Sequence, residues 1–320
     1  MEYNNIRQGC VRNSKQQGIL KKDYTLYYFI FLLGIGFSLL FATGCRKMES
    51  DQTIPSYLKI DSVFIETYYP VEGTPSNKIT DVWIYVDDQQ LGVFELPALF
   101  PVLAEGKHKL EIRPGIKLNG ISSTRVPNPF YKPLLYEDFN FVPDSVMNLG
   151  VIHTEYYENV KFVWMEDFEG PSISIKESES SDTTIERTQP VNSPEAFLSE
   201  NSSYSGKIVL TDDRPMFWGY SYDVYDLPRD ETPVALEVNF KTNNSMVVGV
   251  LTALPGDYKW DDLVYLNHTD TWNKIYINLT PTTSRYSTAY NFSIYFRAVL
   301  EPEVDRAEIY IDNIKLIYRK

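Results

Sequence analysis

From about residue 57 onward, hydrophobic positions recur with a period of two and are broken by turn residues. No amphipathic helix of useful length interrupts them. Val82, Ile84 and Val86 alternate with Trp83 and Tyr85, Asp87–Gln90 reads as a turn, and Leu91–Phe94 returns. Ala104–Ile112 is a turn opening a strand, and Pro114–Ile121 is a further segment. In the second half, Leu236, Val238 and Phe240 alternate with Glu237, Asn239 and Lys241. Strand-like stretches also cover 162–169, 203–210, 246–251, 271–279, 291–298 and 307–317. Short strands separated by turn signals predict an all-β chain built as two sandwiches, one over 57–153 and one over 161–320. The Ser-, Thr- and Glu-rich stretch 172–194 reads as a long loop within the second unit, carrying one ragged strand.

The pattern before residue 57 is different. Residues 24–43 form an apolar run whose centre, Leu26–Ala42, carries no charge, and Lys21 and Lys22 precede it. A basic flank, an apolar run and small residues at its end describe an export signal. The run leads into Ala42-Thr43-Gly44-Cys45. This resembles a lipobox, with Ala42 where Leu is usual, and implies cleavage before Cys45 and lipid (diacylglycerol, palmitate-type acyl chains) on its sulfur. Residues 1–44 are then a signal peptide and 45–56 a lipid-anchored tether. The run is also about long enough to span a bilayer, so a transmembrane anchor is the competing reading. Either places the body outside the cytoplasm. Arg46–Asp51 is mixed in charge, and leaves the periplasmic and cell-surface faces of an outer membrane equally open.

Composition narrows the picture. Aromatic residues make up 14% of the 320 residues, with 24 Tyr and 17 Phe, which favours strands over helices. The net charge is -13, becoming about -16 once residues 1–44 are removed. An acidic surface repels phosphate backbones, which argues against a nucleic-acid partner. Both cysteines, Cys10 and Cys45, lie in the first 45 residues, so the mature body has neither an internal disulfide nor a thiolate zinc site.

Motif order adds two resemblances. The strand, the D-x-x-x-L-G hairpin at 87–92 and the G-x-H-x-L strand at 106–110 resemble PEGA-type and related immunoglobulin-like modules, which implies a spacer or docking sandwich. D-F-E-G at 167–170, S-Y-S-G-K at 203–207, T-W-x-K at 271–274 and I-Y-I-D-N-I-K-L at 309–316 resemble, in that order, galactose-binding-like jelly rolls, which include many carbohydrate-binding modules. Taken together, the chain resembles a Bacteroidetes-type exported lipoprotein carrying both modules. The second resemblance implies a structural calcium, with Glu169, the carbonyl of Lys207 and Asp312 as its ligands.

Catalytic chemistry finds no foothold. The three histidines, His108, His153 and His268, are not in metal-ligand spacing, and no nucleophile elbow or phosphate loop is present. The chain therefore reads as a non-enzyme. Two aromatic clusters are the candidate ligand site: Trp218, Tyr220 and Tyr222 in one stretch, and Tyr258 and Trp260 in another. Alternation puts the first three on one face of a strand. That face is either a platform for a glycan or polymer, or simply core. Because aromatic rings are usually buried, the residue types favour core for Trp218 and Tyr220, with Trp260 the exposed ring. The expected function is non-catalytic glycan binding by an envelope lipoprotein. Its alternative is a structural lipoprotein docking on an outer-membrane protein.

Overall fold

The computed structural model describes residues 54–188 and 195–320, together with Tyr28 and Phe31. Among them no helix is long and apolar enough to cross a membrane. Residues 54–320 are all-β apart from two single-turn helices, and form an immunoglobulin-like sandwich followed by a jelly roll.

The first sandwich contains β1 (Ser56–Glu66), α1 (Tyr69–Glu72), β2 (Asp81–Val86), β3 (Gln89–Glu95), β4 (Ala98–Val102), β5 (Gly106–Lys117), β6 (Arg125–Pro127), β7 (Leu134–Phe141) and β8 (Val146–Glu155). One sheet runs β4-β1-β8, with β1 and β8 parallel; the other runs β3-β2-β5, and both β6 and β7 pair with β5. The alternating residues behave as the pattern dictates: Val82, Ile84, Leu110 and Ile112 of one sheet meet Leu58, Ile60 and Phe100 of the other in a closed core. The turn between β2 and β3 is only Asp87-Asp88, both with positive φ, as a two-residue hairpin with matched twist requires. Pro114 and Gly115 do not end a strand but lie inside β5. A side chain at 115 would collide with the buried Asp81 carboxylate, so only glycine fits there.

The second sandwich contains β9 (Val160–Glu166), β10 (Ile175–Glu177), β11 (Ile185–Arg187), β12 (Gly206–Leu210), β13 (Met216–Ser221), β14 (Val234–Thr242), β15 (Met246–Leu254), β16 (Asp257–Leu266), β17 (Thr269–Asn278), α2 (Thr280–Arg285), β18 (Asn291–Val299) and β19 (Ala307–Arg319). A five-stranded sheet, β10-β13-β18-β15-β16, packs on β11-β12-β19-β14-β17, with β9 also paired to β19. Leu236, Val238, Ile275, Ile277, Ile309 and Ile311 from the six-stranded sheet fill the space between them with Phe217, Val248, Ile294 and Phe296. The stretch expected to hold one ragged strand holds two, β10 and β11, which join opposite sheets. Ile175 and Ile185 are the reason: each is buried in the shared core and pins its half of the segment.

The outer face of the six-stranded sheet is not a solvent face. Ala235, Tyr276 and Ile317 join Ile65, Ile116, Tyr131 and Tyr156 of the first sandwich in a third apolar cluster. Glu237, Asn239, Lys274 and Lys315, polar positions of the alternating pattern, are buried there. Lys274 Nζ lies 2.8 Å from Glu237, and Tyr156 donates its hydroxyl to the same carboxylate at 3.1 Å. Lys315 donates to the Thr74 carbonyl at 2.7 Å. Burial, with Lys274 nearby, pushes the Lys315 ammonium down to about 7.

Candidate functional site

The aromatic residues meet on the outer face of the five-stranded sheet. In β13 the inward positions are Phe217, Gly219 and Ser221, and Trp218 and Tyr220 point outward, half-buried. This reverses the expectation that Trp218 and Tyr220 are core. Phe217 takes the core position, and a side chain at 219 would strike the Phe217 ring and Ile175. Tyr222 follows on the same face and is exposed. On the far edge strand β16, Trp260 is 47% exposed and Tyr258 65%.

Strand order brings these distant stretches together. Trp218 and Trp260 sit on strands separated by β18 and β15, so the two strands are roughly 14 Å apart at ~4.8 Å per strand, and the register offsets the residues further along the sheet. Their side chains nevertheless reach over the intervening strands until the indoles meet edge to face, with centroids 5.0 Å apart. Trp260 also packs on Tyr295 of β18 at 5.1 Å. The Tyr295 ring lies over Gly249 of β15, where any Cβ would intrude on it. Such edge-to-face contacts add roughly 0.5–1.5 kcal/mol each to the burial of the rings.

Polar groups frame the rings. Tyr295 donates its hydroxyl to Asp262, and Arg297 holds the same carboxylate at 3.1 Å. Burial, then the Asp262 carboxylate, keeps the Tyr295 phenol well above its ordinary range, so it stays a donor. Arg297 lies over the Trp218 ring at 5.8 Å, and Lys176 over Tyr220 and Tyr222 at 5.0 and 5.3 Å. The buried Trp218 indole N–H has no acceptor among the described residues. The arrangement therefore offers exposed ring faces beside a fixed cation–carboxylate pair. Tyr295, Arg297 and Gly249 were not identifiable beforehand; only the register, which sets Trp218 opposite Arg297 and Tyr220 opposite Tyr295, reveals them.

The positions expected to hold calcium are engaged otherwise. Glu169 accepts the N–H groups of Ser203 and Tyr204 at 2.6 and 2.7 Å. Asp312 accepts the hydroxyls of Ser205 and Ser202 at 2.6 and 3.3 Å and the N–H of Asn313 at 2.6 Å, and burial raises its pKa well above the usual carboxylate range. Lys207 sends its ammonium to Glu195 and Glu308. Among the described residues no three acidic, histidine or cysteine side chains converge. Apart from the Asn313 N–H, the donors to both carboxylates come from the same distant segment, Ser202–Ser205, which leads into β12. Cys45, the expected lipid site, lies outside the described residues.

No protein-family model and no curated protein matches the chain. Solved structures with a similar fold include a carbohydrate-binding module of the β-sandwich superfamily, 13% identical over 74% of this chain and 84% of that one, with a TM-score of 0.35. A family 11 carbohydrate-binding module of a Clostridium thermocellum cellulosomal cellulase is 12% identical over 49% and 93%, with a TM-score of 0.30. The K3 cleaved adhesin domain of Lys-gingipain from Porphyromonas gingivalis is 16% identical over 49% and 98%, with a TM-score of 0.33. At TM-scores of this size the likeness carries no argument about what this chain binds.

Proposed function

We propose that this protein is a non-catalytic lipoprotein, anchored to the outer membrane through Cys45, that binds a glycan or related polymer on the outer face of its jelly roll. One observation carries the binding reading: Trp218 and Trp260 meet on an open sheet face, over the buried Tyr295 ring and beside the Arg297–Asp262 pair. Flat rings stack on the C–H faces of sugars, and a fixed cation–carboxylate pair reads hydroxyls as both donor and acceptor. Exposed Tyr258 and Tyr222 extend the ring surface to either side. The anchor reading is supported by the apolar run and the small residues before Cys45.

Affinity electrophoresis of the soluble body through gels containing single polysaccharides tests the binding. Retardation by at least one polysaccharide is expected, and Trp260→Ala should abolish or weaken it at least tenfold. A panel that retards neither protein would sink the reading. Replacing Cys45 with Ser should release the full chain from the membrane fraction. The alternative, docking on an outer-membrane protein, draws on the first sandwich. There Leu99, Leu103 and Val146 are 61%, 71% and 57% exposed, and Tyr57 sits between Pro101 and Val146 in the sheet.

A further inference from the structure

A sizeable cavity lies away from the aromatic face. It is a cleft of about 1100 Å³ where the two sandwiches meet. From one wall the first sandwich contributes Phe64, which is 47% exposed, and His153, whose ring lies 6.3 Å from it. From the other wall the jelly roll contributes Trp272 and Phe197, edge to face at 5.6 Å. The Trp272 indole N–H donates to the Glu195 carbonyl at 3.1 Å, which fixes its ring. Trp272 is thus neither core nor loose surface; it is a half-exposed ring held in place at a cavity wall.

The polar lining is mostly neutral amides and hydroxyls, with Glu66, Lys78, His153 and Lys274 as its charged or titratable members. Asn239 and Asn273 both border the cleft, and their amide oxygens are already used from within the protein: Ser76 donates to Asn239 at 2.8 Å, and the Lys274 N–H to Asn273 at 2.9 Å. Lys78 donates to the same Asn273 oxygen. Among the described residues no protein acceptor takes either amide NH₂, so two NH₂ groups face the cleft as donors, with the hydroxyls of Thr271 and Ser199 beside them. Two of the three cationic or titratable lining groups are matched, His153 by Glu66 at 3.1 Å and Lys274 by Glu237, while Lys78 is held by the Asn273 amide oxygen and has no carboxylate partner among the described residues. Ring faces on both walls, spare amide donors and little net charge suit a neutral, hydroxyl-rich ligand. A single lysine already held by an amide oxygen is a weak anion site, and a lipid chain would leave these amides unsatisfied. The volume is that of a small-ligand site at its upper end, large enough for several linked rings.

We infer that the cleft between the sandwiches is a second, separate binding site for a neutral oligosaccharide. Its residues are distinct from those of the outer aromatic face, so the two sites stand or fall independently.

Calorimetric titration with neutral gluco-, xylo-, manno- and galacto-oligosaccharides of four to six units, using the Trp260→Ala chain, isolates the cleft. At least one sugar should still bind. Trp272→Ala and, separately, Phe64→Ala should each weaken that binding at least tenfold. Phe64 is exposed, so its variant keeps the test valid if Trp272→Ala misfolds. Three results overturn the inference: Trp260→Ala binds none of the sugars, its residual binding ignores both cleft substitutions, or the cleft takes an extended peptide instead. If the wild type binds and Trp260→Ala abolishes everything, the aromatic-face reading survives without the cleft. If Trp260→Ala changes nothing while the cleft variants lose binding, the cleft survives without the aromatic face.

Discussion

Gly249→Ala is a one-carbon change that should damage both the fold and the aromatic face. A Cβ at this position would fall within 2.5 Å of the Asp261 backbone oxygen and well inside contact distance of the Tyr295 ring and hydroxyl. The backbone of β16 is fixed by pairing with β15, so the ring must give way. Tyr295 is itself 1% exposed and held beneath Trp260, which leaves it little room. Overpacking of a tight site costs about 1–3 kcal/mol. Turning the ring also breaks the charge-assisted bond to Asp262, worth about 1.5–3 kcal/mol. The total of roughly 2.5–6 kcal/mol should lower the melting temperature by roughly 5–24 °C, at about 2–4 °C per kcal/mol for a body of this size. Differential scanning calorimetry measures this, and near-ultraviolet circular dichroism should show the Trp260–Tyr295 contact disturbed. Gly256→Ala is the control. It has a φ of 76° but no atom within 4 Å of a new Cβ, so it carries only a left-handed backbone penalty of about 1–2 kcal/mol. If Gly249→Ala melts as high as the Gly256→Ala control, the packing argument is wrong.

Other outcomes follow from the buried interface. Glu237→Gln strands the Lys274 ammonium in a dry site and should destabilise by about 3–5 kcal/mol, whereas Glu237→Leu with Lys274→Met together should be close to neutral; chemical denaturation of the three proteins separates these. Lys315 has its pKa lowered from 10.5 to about 7 by burial, so the unfolded chain binds the extra proton between those values and stability from this group rises with pH across that window. Lys315→Met should therefore stabilise at pH 7 and below, by up to about 5 kcal/mol. The gain should shrink towards pH 10; a gain independent of pH would refute the assignment.

Much of the fold was legible because strands with one buried face write a period of two. Val82 and Ile84, or Leu236 and Val238, fall in the core as that period requires. What alternation cannot say is which of the two faces is covered. In β13 the ring-rich face looks like core, yet Phe217 alone fills the interior while Gly219 clears space for it. In β14 the face carrying Glu237 and Asn239 looks solvated, and the first sandwich buries it. Both facts depend on contacts between residues far apart in the chain. The candidate site follows the same rule. Its exposed ring, Trp260, was apparent from its charged neighbours, but Tyr295 and Arg297 acquire a role only through strand pairing.

The parallel pairing of β1 with β8 has a mechanical consequence. Because both strands run the same way, the chain rises through the first sandwich on β1 from Ser56 and leaves it for β9 at the far end, past Glu155. Eleven residues of strand set a distance of roughly 35 Å between Ser56 and the level at which the jelly roll is mounted. The third apolar cluster welds that mounting, so no swivel is left between stalk and head. The outer aromatic face of the jelly roll therefore keeps a constant heading relative to the first sandwich.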